Sequence, residues 1–357
     1  MRAKYLLLIS VALSVADPVK GEEPARTAAP KYAIEITGAK HVVGVWRTKV
    51  YTTEFPAKEW MISFPVATNL PRQSGAKTTM TPEGEEFKDK TVANRPYLFL
   101  KVGPVDGVTP QSLSLAVRYE ATLYARKLVS VHDGAAIKPT PPLDAREKAM
   151  HLLGPATLDF RTEGFQAWLE KHKLRRQERE DEVDFGRRVY TTMLETYRFK
   201  DGVPIQPASK VCDLAELDCD TLSVVFVSAM RANQIPARVL FAWPAKTLKP
   251  DAKGTISGHA QAEFFAAGVG WVPIDIGHVL ESRAMGKKPL RSFGEDDGSF
   301  LVAQVNTDYM IETPAGRFRV NSMHPGPDVV TRAPKKADVH FKPEIWEVTI
   351  KDAPLPR

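Results

Sequence analysis

Between Leu113 and Leu123 every second residue is apolar or small: Leu113, Leu115, Val117, Tyr119, Ala121 and Leu123 alternate with mostly polar neighbours over eleven residues. Successive side chains of a strand leave on opposite faces, so a sustained period of two commits this stretch to a strand with one face buried and one wet. Tyr32, Ile34 and Ile36 alternate in the same way, and β-favouring runs at 42–52, 59–65 and 97–102 are separated by proline and glycine. Half-buried antiparallel strands in this arrangement predict a β-sandwich over residues 32–133. It contains no constellation of reactive side chains.

The period changes after residues 134–144, a stretch without apolar periodicity that carries Pro139, Pro141 and Pro142 and reads as a linker. Beyond it, Val183, Tyr190, Met193, Leu194 and Tyr197 recur at helical spacing. The segment 165–179 is helix-forming, and its basic run from Lys171 to Arg179 reads as a solvated helix face. Strand patterns resume between the helices, which makes the class α+β. The 357 residues suit two domains. The second is expected over 145–280, and residues 281–357 form a C-terminal extension with strands and a tail.

The first 16 residues bear on the compartment. Arg2 and Lys4 precede the uncharged run Tyr5–Leu13, and Ser14-Val15-Ala16 offers small residues for cleavage, the pattern of a secretory signal peptide. The uncharged stretch is shorter than the ~20 residues a membrane-spanning helix needs. Residues 17–31 are rich in proline, alanine and charge, as a solvated linker is. The mature chain is therefore expected to be secreted or periplasmic, with no membrane span. Removing Arg2 and Lys4 from the 49 basic residues leaves a net charge of +4 against 43 acidic ones, too weak and dispersed to argue for nucleic acid. Two cysteines cannot make a disulfide scaffold, and no CxxC, HExxH or zinc-finger spacing occurs, so neither a metal nor a cofactor is expected.

Most of the chemical information lies between Leu217 and Ile276. Leu222, Val225, Phe226, Ala229 and Met230 form a helical stripe that must end before Pro236, so the helix starts near Cys219. Asp218 or Asp220 can cap it, leaving Cys219 at the positive end of the helix dipole, which favours a thiolate; the two flanking aspartates oppose this. Further on, His259, Gln261 and Glu263 alternate with Ala260, Ala262 and Phe264. Gly268 and Gly270 supply a turn, and Trp271–Asp275 returns. Such a hairpin can set His259 beside Asp275, and a carboxylate on imidazole fixes the tautomer that a Cys/His nucleophilic pair needs.

These residues carry a resemblance. Cys219 with Arg231 twelve residues on, then Ile-Pro-Ala-Arg, His-Ala-x-x-Glu and Gly-Val-Gly-Trp-Val-Pro-x-Asp, is similar to the transglutaminase-like superfamily core of bacterial proteins, over about 180–280 and more loosely over 291–321. The resemblance implies a papain-like core of helices packed on an antiparallel sheet. It also implies Cys219 as nucleophile, His259 as base and then acid, and Asp275 as its orienter. A thioester formed from a peptide or side-chain amide would be resolved by water or by an amine, with a protein or peptide as substrate. Leu217 and Gln261 depart from the family pattern, which usually has glycine and an aromatic residue there.

Other readings stand beside this one. The fold could serve as a non-catalytic envelope binding module. Cys212 and Cys219 could form a disulfide if the segment between them is a loop. His278 is a competing base, Arg238 and Trp271 read as packing residues, and EDDG at 295–298 lacks the other ligands of a calcium loop.

Overall fold

The alternating residues of the N-terminal region lie on the two longest strands among the described residues. The computed structural model describes residues 31–53, 57–88, 95–104, 109–131, 138–313, 316–320, 328–332 and 339–356. The leader expected at 1–16 and the linker at 17–31, apart from Lys31, lie outside them. Strand β1 spans Tyr32–Thr52, β2 Glu59–Pro65, β3 Gln73–Thr81, β4 Glu85–Lys88, β5 Pro96–Val102 and β6 Ser112–Ser130. On β6, Leu115, Val117, Tyr119, Ala121 and Leu123 are all buried. β1 and β6 pair antiparallel from Tyr32 opposite Ser130 to Tyr51 opposite Ser112, with one irregularity at Ile36–Gly38.

The chain then forms α1 (Ala145–Met150), α2 (Glu163–Lys171), α3 (Glu182–Thr196), β7 (Arg198–Phe199), α4 (Ala208–Val211), β8 (Glu216–Leu217) and α5 (Cys219–Ala232). Next come β9 (Ala237–Pro244), β10 (His259–Ala266), β11 (Gly270–Ile274) and α6 (Ile276–Ala284). The remaining strands are β12 (Glu295–Asp296), β13 (Phe300–Val305), β14 (Tyr309–Thr313), β15 (Gly316–Val320), β16 (Asp328–Arg332), β17 (Val339–Phe341) and β18 (Ile345–Asp352).

Two sheets form the sandwich. One has the order β12-β6-β1-β17, with β18 also on β1 and β3 also on β6; the other has the order β16-β2-β5-β4. They share a core that includes Trp46, Trp60, Phe64, Val117, Tyr119 and Trp346. Three strands of the larger sheet, β12, β17 and β18, come from beyond residue 281, so the C-terminal part of the chain completes the N-terminal sheet. Its anchor is Trp346, which stacks on Trp243 at 5.1 Å and donates its indole N–H to the Pro244 carbonyl at 2.8 Å.

The second layer system is an antiparallel sheet of order β11-β10-β9-β13 with α5 packed on β9 and β10. The sequence stripe on α5 predicts one buried face. Instead every residue from Asp220 to Arg231 is buried, because the helix is enclosed between this sheet and the surrounding helices. The helix expected over 165–179 ends at Lys171; Lys173 turns the backbone left-handed at φ 55°, and the basic run continues as a loop. Lys171 pairs with Asp213, Arg175 with Glu170 and Arg176 with Glu182, so much of that basic run is neutralised within the chain.

Candidate active site

Helix α5 begins where the sequence changes from Leu217, buried in the core on β8, to Asp218. Asp218 is extended at φ −95°, ψ −176° and caps the helix. Its carboxylate accepts from the Thr221 N–H at 2.9 Å, while the Thr221 hydroxyl accepts from the Asp218 N–H at 3.0 Å. Cys219 thus occupies the first helical position, where a backbone N–H has no carbonyl within its own helix to bond. The Cys219 thiol donates to Asp220 Oδ1 at 3.7 Å. Burial, followed by the Asp220 charge, pushes this thiol well above its usual range, and the Ala260 N–H offsets only part of that. Burial first, and the flanking aspartates second, thus disfavour the thiolate at this helix start.

The carboxylate partner comes from the hairpin. Ala262 pairs with Ile274, which sets Gln261 rather than His259 opposite Asp275, and His259 reaches Asp275 from two residues away on the same face of β10. Its Nε2 stands 3.0 Å from each Asp275 oxygen. Asp275 ends the strand as the N-cap of α6, accepting the His278 N–H at 3.0 Å. Burial opposes its ionisation, but His259, Arg291 and Gln261 prevail and hold the carboxyl well below the usual carboxylate range. An ionised carboxylate only accepts hydrogen bonds, so Nε2 carries the proton and Nδ1 of the neutral ring is left as an acceptor.

Four residues of this site have no part in the motif. Arg291 grips Asp275 Oδ2 through Nη2 at 2.9 Å and Asp297 through Nη1 at 2.9 Å. Phe300 lies 4.8 Å from the His259 ring and under the Arg291 guanidinium at 5.0 Å. Gln261 donates to Asp275 Oδ2 at 2.9 Å and accepts from Arg72 at 2.6 Å. Arg72 precedes β3 and also holds Asp296 at 3.1 Å; Asp296 in turn pairs with Arg126 of β6, and Arg126 with Glu263. Arg238 closes the series on Glu263 at 2.6 Å and lies 3.8 Å over Trp271. Four arginines and four carboxylates thus balance one another in the layer between the sandwich and the site. Gln261 was legible as a departure from the family pattern; nothing local marks Arg72, Arg291 or Phe300.

The remaining candidates fall elsewhere. His278 sits in the first turn of α6, where its Nε2 accepts the Leu290 N–H at 3.0 Å, so that nitrogen is occupied. Arg231 lies at the far end of α5 and bonds the Ala237 carbonyl and Asn306. Cys212 and Cys219 are both free thiols, with Cys212 buried at the end of α4. Among the described residues, no group of three or more His, Cys, Asp or Glu could hold a metal ion, and no helix is long and apolar enough to cross a membrane. A groove of about 1180 Å³, lined by Phe199, Lys200, Leu214, Glu216, Leu280 and Arg283 among others, opens beside β8, two residues before Cys219.

Comparison with known proteins bears on the fold. Residues 171–276 match the transglutaminase-like superfamily model. An uncharacterized protein of Haemophilus influenzae is 36% identical over 102 residues, which is 24% of this chain and 27% of the relative, so the match spans about a quarter of that protein's length. A protein of Cytophaga hutchinsonii described as a candidate cysteine protease shares the fold at a TM-score of 0.53, covering 91% of this chain and 94% of its own at 13% identity. The periplasmic domain of TgpA from Pseudomonas aeruginosa aligns over 70% of this chain and 91% of its own at 14% identity and a TM-score of 0.35. The stretch from residue 171 to residue 276, with Cys219, His259 and Asp275 inside it, is a transglutaminase-like superfamily domain.

Proposed function

We propose that the chain is an exported cysteine enzyme that cleaves or transfers peptide or side-chain amides through Cys219, His259 and Asp275. The observation that carries this reading is a convergence of chain ends: Asp275 holds the His259 imidazole at 3.0 Å, and Gly277, two residues past Asp275, packs directly against Cys219. Because burial and the flanking aspartates disfavour a thiolate, the reading places the base in the attack step itself. His259 Nδ1 takes the thiol proton as the sulfur adds to the amide carbonyl carbon. The Cys219 N–H at the helix start is positioned to donate to the oxyanion. The imidazolium then gives its proton to the departing amine as the C–N bond breaks, which leaves a thioester. Water or a second amine attacks that thioester, His259 accepts the attacker's proton, and the thiol is released with an acid or a new amide.

The signal-peptide-like pattern of residues 1–16 supports export, which makes envelope peptides or secreted proteins the substrates in reach.

A second reading, a binding module without catalysis, is favoured by the half-buried, acid-flanked thiol, which resists ionisation. Alkylation by iodoacetamide near neutrality separates the two. The enzyme reading expects Cys219 to react at least about tenfold faster in the native chain than in His259→Ala, since general-base help is worth ~10²-fold or more. Equal rates in the two proteins would leave the binding module. Supplying a glutamine-containing peptide with a labelled amine, and reading amine incorporation against ammonia release, then distinguishes transfer from hydrolysis.

A further inference from the structure

We infer that Gln261 and Arg72 are positioning residues for the catalytic carboxylate, so that the N-terminal sandwich supplies part of the active site; this rests on the Cys219–His259–Asp275 reading above. The argument begins with the chemistry of an amide. A glutamine amide can present either its oxygen or its nitrogen to a given neighbour, but here the neighbours choose one orientation. Arg72 has only donors and therefore faces Oε1, at 2.6 Å, which turns the Nε2 amide toward Asp275, an acceptor only, at 2.9 Å. The side chain is buried, so no water can take over either bond.

Arg72 is itself fixed. Its fork spans two acceptors, Gln261 Oε1 and Asp296 Oδ1, and Asp296 is held from its other oxygen by Arg126 of β6 at 3.0 Å. The Gly298 N–H also bonds Asp296 at 3.1 Å. Asp275 is thus gripped from two directions. Both Arg291, through Nη2, and Gln261, through Nε2, donate to Oδ2. With Oδ2 engaged by these two groups and Oδ1 by the His278 N–H, the carboxylate plane is set, and with it the ring of His259. A phenylalanine at position 261, with neither donor nor acceptor, could not transmit this hold. The arrangement gives a physical reason for glutamine there, and for a sandwich joined to the transglutaminase-like core by buried charges rather than by a flexible tether alone.

The test compares rate and pH dependence of Cys219 alkylation by iodoacetamide in the full chain and its variants. Gln261→Met keeps the volume and leaves the Arg72–Asp296 and Arg291–Asp275 pairs intact. The expected result is a neutral-pH rate lower by about tenfold to a hundredfold, approaching that of His259→Ala, as misplacement of a catalytic group costs. In alkaline solution, where hydroxide removes the thiol proton, the native chain, Gln261→Met and His259→Ala should converge. Loss of the neutral limb alone is a signature that a merely structural residue would not produce. Arg72→Lys retains the buried charge but cannot reach two acceptors with one planar fork, and should show a smaller loss of the same limb. If both variants are folded and keep the native rate and pH profile, the positioning role is overturned while the triad reading stands. If the native chain reacts no faster than His259→Ala, both fall together.

Discussion

Gly277 and Cys219 touch where two helices begin: a Cβ built on Gly277 would stand 2.9 Å from both the Cα and the Cβ of Cys219. Helix α6 can approach the start of α5 this closely only because position 277 has no side chain. Gly277→Ala should improve intrinsic helix propensity by ~1 kcal/mol, but forcing a methyl into a packed contact costs about 1–3 kcal/mol, so the net stability change should be small and unfavourable. The larger effect should fall on chemistry, since Asp275 caps the same helix whose first turn would have to shift. Thermal unfolding and the neutral-pH alkylation rate of Cys219 check this together; an unchanged rate would mean that the two helix starts are not in contact.

Glu263 ties Arg126 to Arg238 in the layer behind the site. Burial raises its pKa, but the two guanidiniums outweigh that and bring it down to about 2 from an ordinary 4.5. A carboxyl depressed on folding stabilises the native state above its unfolded value, and that contribution is lost as pH falls through the folded one. Glu263→Gln should lose ~3–5 kcal/mol at neutral pH, because it leaves buried guanidiniums short of a counter-charge. The gap between the native chain and the variant should then close by on the order of 3 kcal/mol as pH falls from 4.5 toward about 2. Urea unfolding at several pH values measures it, and parallel curves through that window would exclude Glu263 as the acid-sensitive group.

The sandwich strands were legible because one face of each is wet, which prints a period of two onto residues such as Leu115, Val117 and Tyr119. The start of α5 was legible for a related reason: a capping aspartate and a following apolar run are local signals. Once helix and hairpin were placed, the pairing of His259 with Asp275 followed from short separations in sequence. Arg72 was not legible, because its partner Gln261 lies 189 residues away and a lone arginine before a strand carries no periodic or motif signal. The return of β17 and β18 to β1 was hidden for the same reason: strand propensity is local, whereas the choice of partner strand is made by the whole core. The fully buried α5 also reads from sequence as a helix with one apolar stripe, since Ser223, Ser228 and Arg231 are polar yet enclosed.

Cys212 gives a control for any thiol measurement. It is buried beneath Tyr197, whose hydroxyl donates to the Cys212 carbonyl at 2.7 Å. Burial, with the Asp213 charge adding to it, pushes its thiol up to about 12. In the native chain at neutral pH, Cys212 should remain unmodified while Cys219 reacts, and both should react after denaturation. Thiol titration with and without denaturant, in the native chain and in Cys212→Ser, checks this. Reaction of Cys212 at a rate matching Cys219 under native conditions would contradict its burial.

The C-terminal strand makes the last prediction. Trp346 pairs opposite Trp46 on β18, is fully buried, and stacks on Trp243 of β9, so one side chain joins the sandwich to the sheet that carries His259. Gly44 of β1 leaves room for its ring: a Cβ there would come within 2.0 Å of the indole. Trp346→Ala should therefore destabilise by ~3–5 kcal/mol, the range for removing a large aromatic residue from a packed core. Gly44→Ala should be comparably harmful by the opposite route, overpacking. In the double variant the new methyl would face the space left by the indole, so the two losses should be less than additive, because the residues share one volume. Chemical denaturation of the native chain, both single variants and the double variant gives the coupling directly. Full additivity would mean that β18 does not lie across β1 at this register.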